Sequence, residues 1–171
     1  TDLEGLPPAT GDVGEPSRRV PTDLPDEIRT AAADLVANTP DALTSIDAIT
    51  ARLLELGRDE TKPPGSSFGR LRDDLAQNRP TGAEQIASLH ALMLRSVGIP
   101  SRLVVGYVAT SPVVEPTDLQ IWTEAVLPGV GWVAFDPVPT DPALTEDDPN
   151  EPPPPTTSAA AEPTQLETRA L

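Results

Sequence analysis

The chain holds a single imidazole, His90, and no cysteine. It therefore has no thiol nucleophile, no disulfide and no thiolate metal site. A lone histidine without a second ligand at suitable spacing does not make a metal centre. No acidic loop shows calcium-ligand spacing either, so neither metal nor cofactor is implied. Acid–base chemistry would fall to carboxylates, of which Glu84 and Asp136 stand in patterned surroundings. Next to Glu84 lies Gln85, and Gln120 precedes Trp122 by two positions. His90 follows Ala83 by seven residues on one predicted helix, which is about 10 Å along the axis. That spacing favours a partly buried structural histidine over a displaced base. Trp122 and Trp132 read as strand core and cleft wall, and Arg102 as one half of a structural ion pair.

These residues need elements to hold them. A first helix is predicted to open at Thr22–Glu27, with Asp23 or Thr22 as cap and Pro25 in the first turn. Ile28, Ala31, Ala32, Leu35 and Val36 give it one apolar face. A second helix runs from about Asp41 to Leu56 and stops at Gly57. Residues 58–70, with two prolines and two glycines, read as an exposed loop. A short segment, Leu71–Gln77, leads to a turn at Asn78–Pro80. The third helix, from Thr81 or Gly82 to Val97, is apolar on several sides and is predicted to be the buried one. Gly98-Ile99-Pro100 ends it. Strands follow at Arg102–Val108, Ile121–Leu127 and Trp132–Asp136, the last two as an antiparallel hairpin. Helices followed by clustered strands predict an α+β domain.

Composition narrows the function. The 171 residues carry a net charge of −15, which opposes capture of nucleic acid and of anionic membrane surfaces. Two Trp, one Tyr and two Phe are too few for a surface built on aromatic stacking. No apolar run approaches bilayer-spanning length. The chain starts at Thr1, as expected of a mature product or an excised segment. Residues 1–19 read as an extended Pro/Gly-rich lead-in and 20–140 as the domain. Residues 141–171, with seven acids, one base and seven prolines, read as a disordered acidic tail or linker.

Three segments then stand in an informative order. Ala83-Glu84-Gln85-Ile86-Ala87 leads through Leu92–Arg95 to Gly98-Ile99-Pro100-Ser101-Arg102 and Val104-Val105-Gly106-Tyr107. Gln120-Ile121-Trp122-Thr123-Glu124 comes second, and Gly131-Trp132-Val133-Ala134-Phe135-Asp136-Pro137 third. Together they resemble the transglutaminase-like core of the papain-like cysteine enzyme group, in its bacterial membrane-associated form. The match is closest over about residues 79–140. The resemblance implies N-terminal helices, a buried central helix among them, packed on an antiparallel sheet.

The family pattern also implies a cysteine at the start of the buried helix, a histidine two residues before the strand tryptophan, and an aspartate before the last proline. A helix N-terminus lowers a thiol pKa; the histidine takes its proton and the aspartate fixes the imidazole. Here Ala83 and Gln120 stand at the first two positions, and Asp136 alone is retained. Alanine offers no nucleophile, and an amide does not accept a proton near neutral pH. The resemblance therefore implies a catalytically inactive domain, a pseudoenzyme serving peptide or protein binding or scaffolding. Glu84, Gln85, Trp122 and Trp132 are its candidate cleft residues. The implied partner is a peptide or protein segment in the former substrate cleft, with membrane contact only through other parts of a parent chain. The implied location is the extracytoplasmic face of a bacterial membrane, as part of a membrane protein. Two other classes stay open: an active transferase or amidase using Glu84, His90 or Asp136, and a purely structural module.

Overall fold

The computed structural model describes residues 15–108 and 113–138. The acidic tail at 141–171 and residues 1–14 of the lead-in lie outside the described residues. Residues Glu15–Arg18 form a single helical turn, α1, where the sequence suggested extended chain.

Helix α2 spans Asp26–Val36 and buries Ile28 and Ala32, one turn apart. Its cap differs from expectation. Pro25 occupies the N-cap, and neither Thr22 nor Asp23 closes the helix with its side chain. The chain instead turns at Pro21–Leu24, with Leu24 N–H donating to Pro21 O at 3.2 Å. Arg29 then reaches back to Pro21 O at 2.8 Å and Leu24 O at 3.3 Å. A guanidinium thus satisfies carbonyls that a capping side chain would not have touched.

Helix α3 spans Ala42–Leu54 and opens with a reciprocal cap between Asp41 and Thr44. Thr44 N–H donates to the Asp41 carboxylate at 2.9 Å. Ile46, Ile49 and Leu53 form its buried face. Helix α4 spans Phe68–Ala76. It begins inside the stretch read from sequence as loop, because burial of Leu71 and Leu75, four residues apart, outweighs the helix cost of Gly69.

Helix α5 spans Ala83–Ser96, and every residue from Gln85 to Leu94 is buried. Gly98 ends it at φ +86°, a left-handed conformation that favours glycine. Ile99 N–H closes the last turn on Leu94 O at 2.9 Å. The chain reverses into β1 (Ser101–Tyr107), followed by β2 (Leu119–Leu127) and β3 (Gly131–Phe135). The three strands form an antiparallel sheet in chain order. Helix α5 packs on α2 and α3 on one side and on β1 and β2 on the other. It is the central layer. Thr123 Oγ1 donates to Ala87 O at 3.2 Å and Ser101 Oγ to Ala91 O at 2.9 Å, pinning both strands to the helix. The architecture is α+β, as the sequence predicted.

Candidate functional site

Ala83 is the first residue of α5 and is half-buried. Its approach is fixed from below. Thr81, fully buried, donates its hydroxyl to the Asp74 carboxylate at 2.8 Å. Arg79 pairs with the same carboxylate at 3.1 Å and Arg70 at 3.7 Å. Thr81 N–H donates to Gly57 O at 3.3 Å, and Asp59 N–H to Thr81 O at 3.0 Å. Two loops therefore meet just before the helix begins.

Glu84 and Gln85 turn inward onto the 63–66 loop. Glu84 accepts from Gly65 N–H and Ser66 Oγ, each at 3.2 Å. Gln85, buried, donates to Gly65 O at 2.8 Å and Pro63 O at 3.4 Å. Ser88 Oγ donates to Ser66 Oγ at 3.1 Å. Both candidate cleft residues are thus engaged in closing the loop over the helix start. The sequence signals only that Gly65 and Ser66 belong to a Pro/Gly-rich stretch; which helix they would meet is a matter of tertiary packing.

The strand candidates share one face of the sheet. Gln120 pairs with Gly106 and Trp122 with Val104. Successive strand residues alternate faces, so Gln120, Trp122 and Glu124 point away from the buried Thr123, Ala125 and Leu127 of the helix-facing side. Trp132, which pairs with Val126, belongs to that same outer face. Arg102 lies 4.1 Å from the centre of the Trp132 ring and pairs with Glu124 at 2.6 Å. The ion pair expected of Arg102 is present, and it braces the Trp132 wall.

Trp122 covers Gly106. A Cβ at that glycine would come within 2.8 Å of the Trp122 ring. Gly106→Val is therefore expected to displace the indole and to destabilise the domain by about 1–3 kcal/mol, as overpacking does. Denaturant unfolding followed by Trp122 fluorescence in a Trp132→Phe background measures both effects. The Trp122 Nε1 atom is buried and has no hydrogen-bond partner among the described residues.

Asp136 is exposed and accepts from Val138 N–H at 3.0 Å, within its own turn. Its carboxylate thus caps that turn. Among the described residues no hydrogen bond joins it to Gln120, although Phe135 pairs with Thr123 beside it. His90 is fully buried rather than partly so. Its Nε2 meets Thr50 Oγ1 of α3 at 3.1 Å, and its Nδ1 has no partner among the described residues. Burial pushes its pKa down to about 3. Glu84, His90 and Asp136 are thus held apart: one in the first turn of α5 against the 63–66 loop, one in the core, one just past the end of β3. Among the described residues no group of His, Asp and Glu side chains could hold a metal ion. No described helix is long and apolar enough to cross a membrane.

A buried helix starting beneath an antiparallel meander, with Trp122 and Trp132 on the outer face of the strands, defines a papain-like α+β domain. Residues 29–137 match the model of the transglutaminase-like superfamily, and the chain belongs to that superfamily. Among solved structures it is similar to the periplasmic domain of TgpA from Pseudomonas aeruginosa. The identity is 26% and the TM-score 0.62, covering 71% of this chain and 45% of that one. The same domain bound to ethylmercury gives 24% identity and a TM-score of 0.58, over 71% and 46%. A proposed cysteine protease from Cytophaga hutchinsonii shares the fold at 20% identity and a TM-score of 0.59, over 75% and 43%. The chain spans less than half the length of these structures. Among curated proteins nothing matches it significantly.

Proposed function

We propose that this domain is a non-catalytic member of its superfamily whose former substrate cleft binds a peptide or protein segment, as the extracytoplasmic part of a larger bacterial membrane protein. The observation that carries the reading is Ala83 at the first position of the buried helix, where the family pattern calls for the thiol nucleophile. Loss of a triad nucleophile typically lowers the rate by several orders of magnitude. Gln120 at the expected base position removes the proton acceptor as well. The other candidate groups are spoken for: Glu84 by Gly65 and Ser66, His90 by the core, Asp136 by its own turn. The likeness to a periplasmic domain supports the extracytoplasmic placement.

The test restores the triad with Ala83→Cys and Gln120→His and follows alkylation of the introduced thiol against pH. The expected thiol pKa lies well below the free value of about 8.5, with no amide turnover by the unaltered domain. An unperturbed thiol would show that the cleft geometry is lost. Amide turnover by the unaltered domain, abolished by Asp136→Ala, would make it an enzyme instead.

A further inference from the structure

A groove of about 200 Å³ runs beside α5, between α4 and the inner side of β1. Helix α5 lines it with Ser88, Ala91, Leu92 and Arg95, which their spacing puts on one face. Helix α4 adds Phe68 and Leu71, and β1 adds Leu103. Leu103 lies on the same strand face as Ser101, the face turned to α5. It stands 42% exposed at the rim, over a floor of buried Leu71, Ala91 and Leu92.

The two ends of the groove differ in charge. At one end Ser66 and Ser88 share a hydrogen bond at 3.1 Å, and the Glu84 carboxylate accepts from Ser66 Oγ at 3.2 Å. At the other end stands Arg95, about 10 Å further along the helix axis than Ser88. Its Nε and Nη2 donate to Ser101 O at 3.0 and 2.8 Å. Among the described residues Nη1 makes no hydrogen bond, and no carboxylate pairs with this guanidinium. Every other described arginine from Arg29 to Arg102 has a carboxylate within 3.8 Å. Burial pulls the Arg95 pKa down, as expected of a charge desolvated without a counter-charge.

We propose that this groove binds a straight-chain monocarboxylate of about eight carbons, with its carboxylate on Arg95 and its chain lying toward Ser88. The unbonded Nη1 and the remaining N–H of Nη2 offer the parallel pair of donors that a carboxylate accepts. Ser101 O already orients the guanidinium, so little side-chain freedom is lost on binding. Glu84 sets the direction of the chain, because it repels an anion placed at the serine end. The volume sets the size: about 200 Å³ lies below the range of drug-sized ligands. A single guanidinium, in a domain of sixteen acids against nine bases, selects one negative charge over two. The groove is separate from the cleft, since Ala83, Gln120, Trp122 and Asp136 do not line it.

The experiment titrates the full chain with sodium octanoate and follows backbone amide shifts by NMR. Saturable shifts are expected at Ala91, Leu92, Arg95 and Leu103. Octanoate is expected to bind roughly tenfold or more tighter than octanol, which lacks the charged hydrogen bonds. Hexanoate is expected to bind about fifteenfold more weakly than octanoate, about fourfold for each methylene lost. Arg95→Met keeps an apolar stem and is expected to reduce octanoate to the level of octanol. Because Arg95 also holds Ser101 O, a second variant leaves it in place. Leu103→Glu, at an exposed position, sets a competing carboxylate on the groove and is expected to abolish octanoate binding. Absence of saturable shifts at these residues would overturn the proposal. So would equal affinity for octanol, or unchanged affinity in both variants. Shifts that grow with protein concentration without octanoate, with a dimer in sedimentation, would give the groove to a second copy instead.

Discussion

Acidification from pH 7 to 5 is expected to destabilise this domain by roughly 2 kcal/mol through His90 alone, since a pH unit of full differential titration is worth about 1.4 kcal/mol. In the unfolded chain the imidazole titrates near 6.5; in the fold, burial pushes it down to about 3. Between those values the unfolded state binds a proton that the native state refuses. Stability is therefore complete above pH 6.5, falls as pH drops, and reaches its full loss near pH 3. The cause is solvation: His90 has no exposed surface, and among the described residues its ring meets one hydrogen-bonding group, the Thr50 hydroxyl. Asp59 acts in a separate, lower window. The Thr61 hydroxyl bond holds its carboxyl below 3.8, so its contribution is lost only in stronger acid. Urea unfolding from pH 7 to 5 measures the slope. His90→Leu removes the titrating group and is expected to flatten it. An unchanged slope in that variant would place the acid sensitivity elsewhere.

Asp74→Ala is expected to cost about 3 kcal/mol, within the range for breaking a buried charged network. Asp74 is 4% exposed. Its carboxylate holds the Thr81 hydroxyl and the Arg79 guanidinium, with Arg70 nearby. Truncation leaves a fully buried hydroxyl without its acceptor and two guanidinium groups without their counter-charge. The damage is local as well as global, because Thr81 stands two residues before Ala83 and anchors the entry to α5. Asp74→Asn retains an acceptor for Thr81 and removes only the charge, so it is expected to lose less than half as much. Comparing the two by chemical denaturation separates the hydrogen bond from the ion pairs.

The helices were legible because their buried faces recur at helical spacing: Ile28 and Ala32, Ile46, Ile49 and Leu53. The Gly98-Ile99-Pro100 turn and the hairpin at Pro128–Val130 were legible from turn chemistry alone. The α2 cap was not, since the turn at Pro21–Leu24 puts Pro25, rather than Thr22 or Asp23, at the N-cap. The start of α4 was hidden by Gly69 in a Pro/Gly-rich run. At the site, the order of Ala83, Gln120, Trp122 and Asp136 could be read from motifs. The clasp of Glu84 and Gln85 on Gly65 could not, because its partners lie about twenty residues away in the chain. The same holds for the contact of His90 with Thr50. Such pairings depend on how helices dock, which no local pattern encodes.

The chain order of the layers has a consequence for how the domain is made. Helices α2 to α5 come first, and among the described residues the sheet is built from residues 101–135. A ribosome releases α5 well before β2 supplies Ala125 and Leu127 to cover it. During that interval the sheet-facing side of the most buried helix has no partner of its own. Once β1 emerges, the sheet grows by successive hairpins between neighbouring segments, each a fast local closure. The growing chain is thus most prone to aggregate just before the last strands appear, and a truncation near residue 100 would hold it in that state.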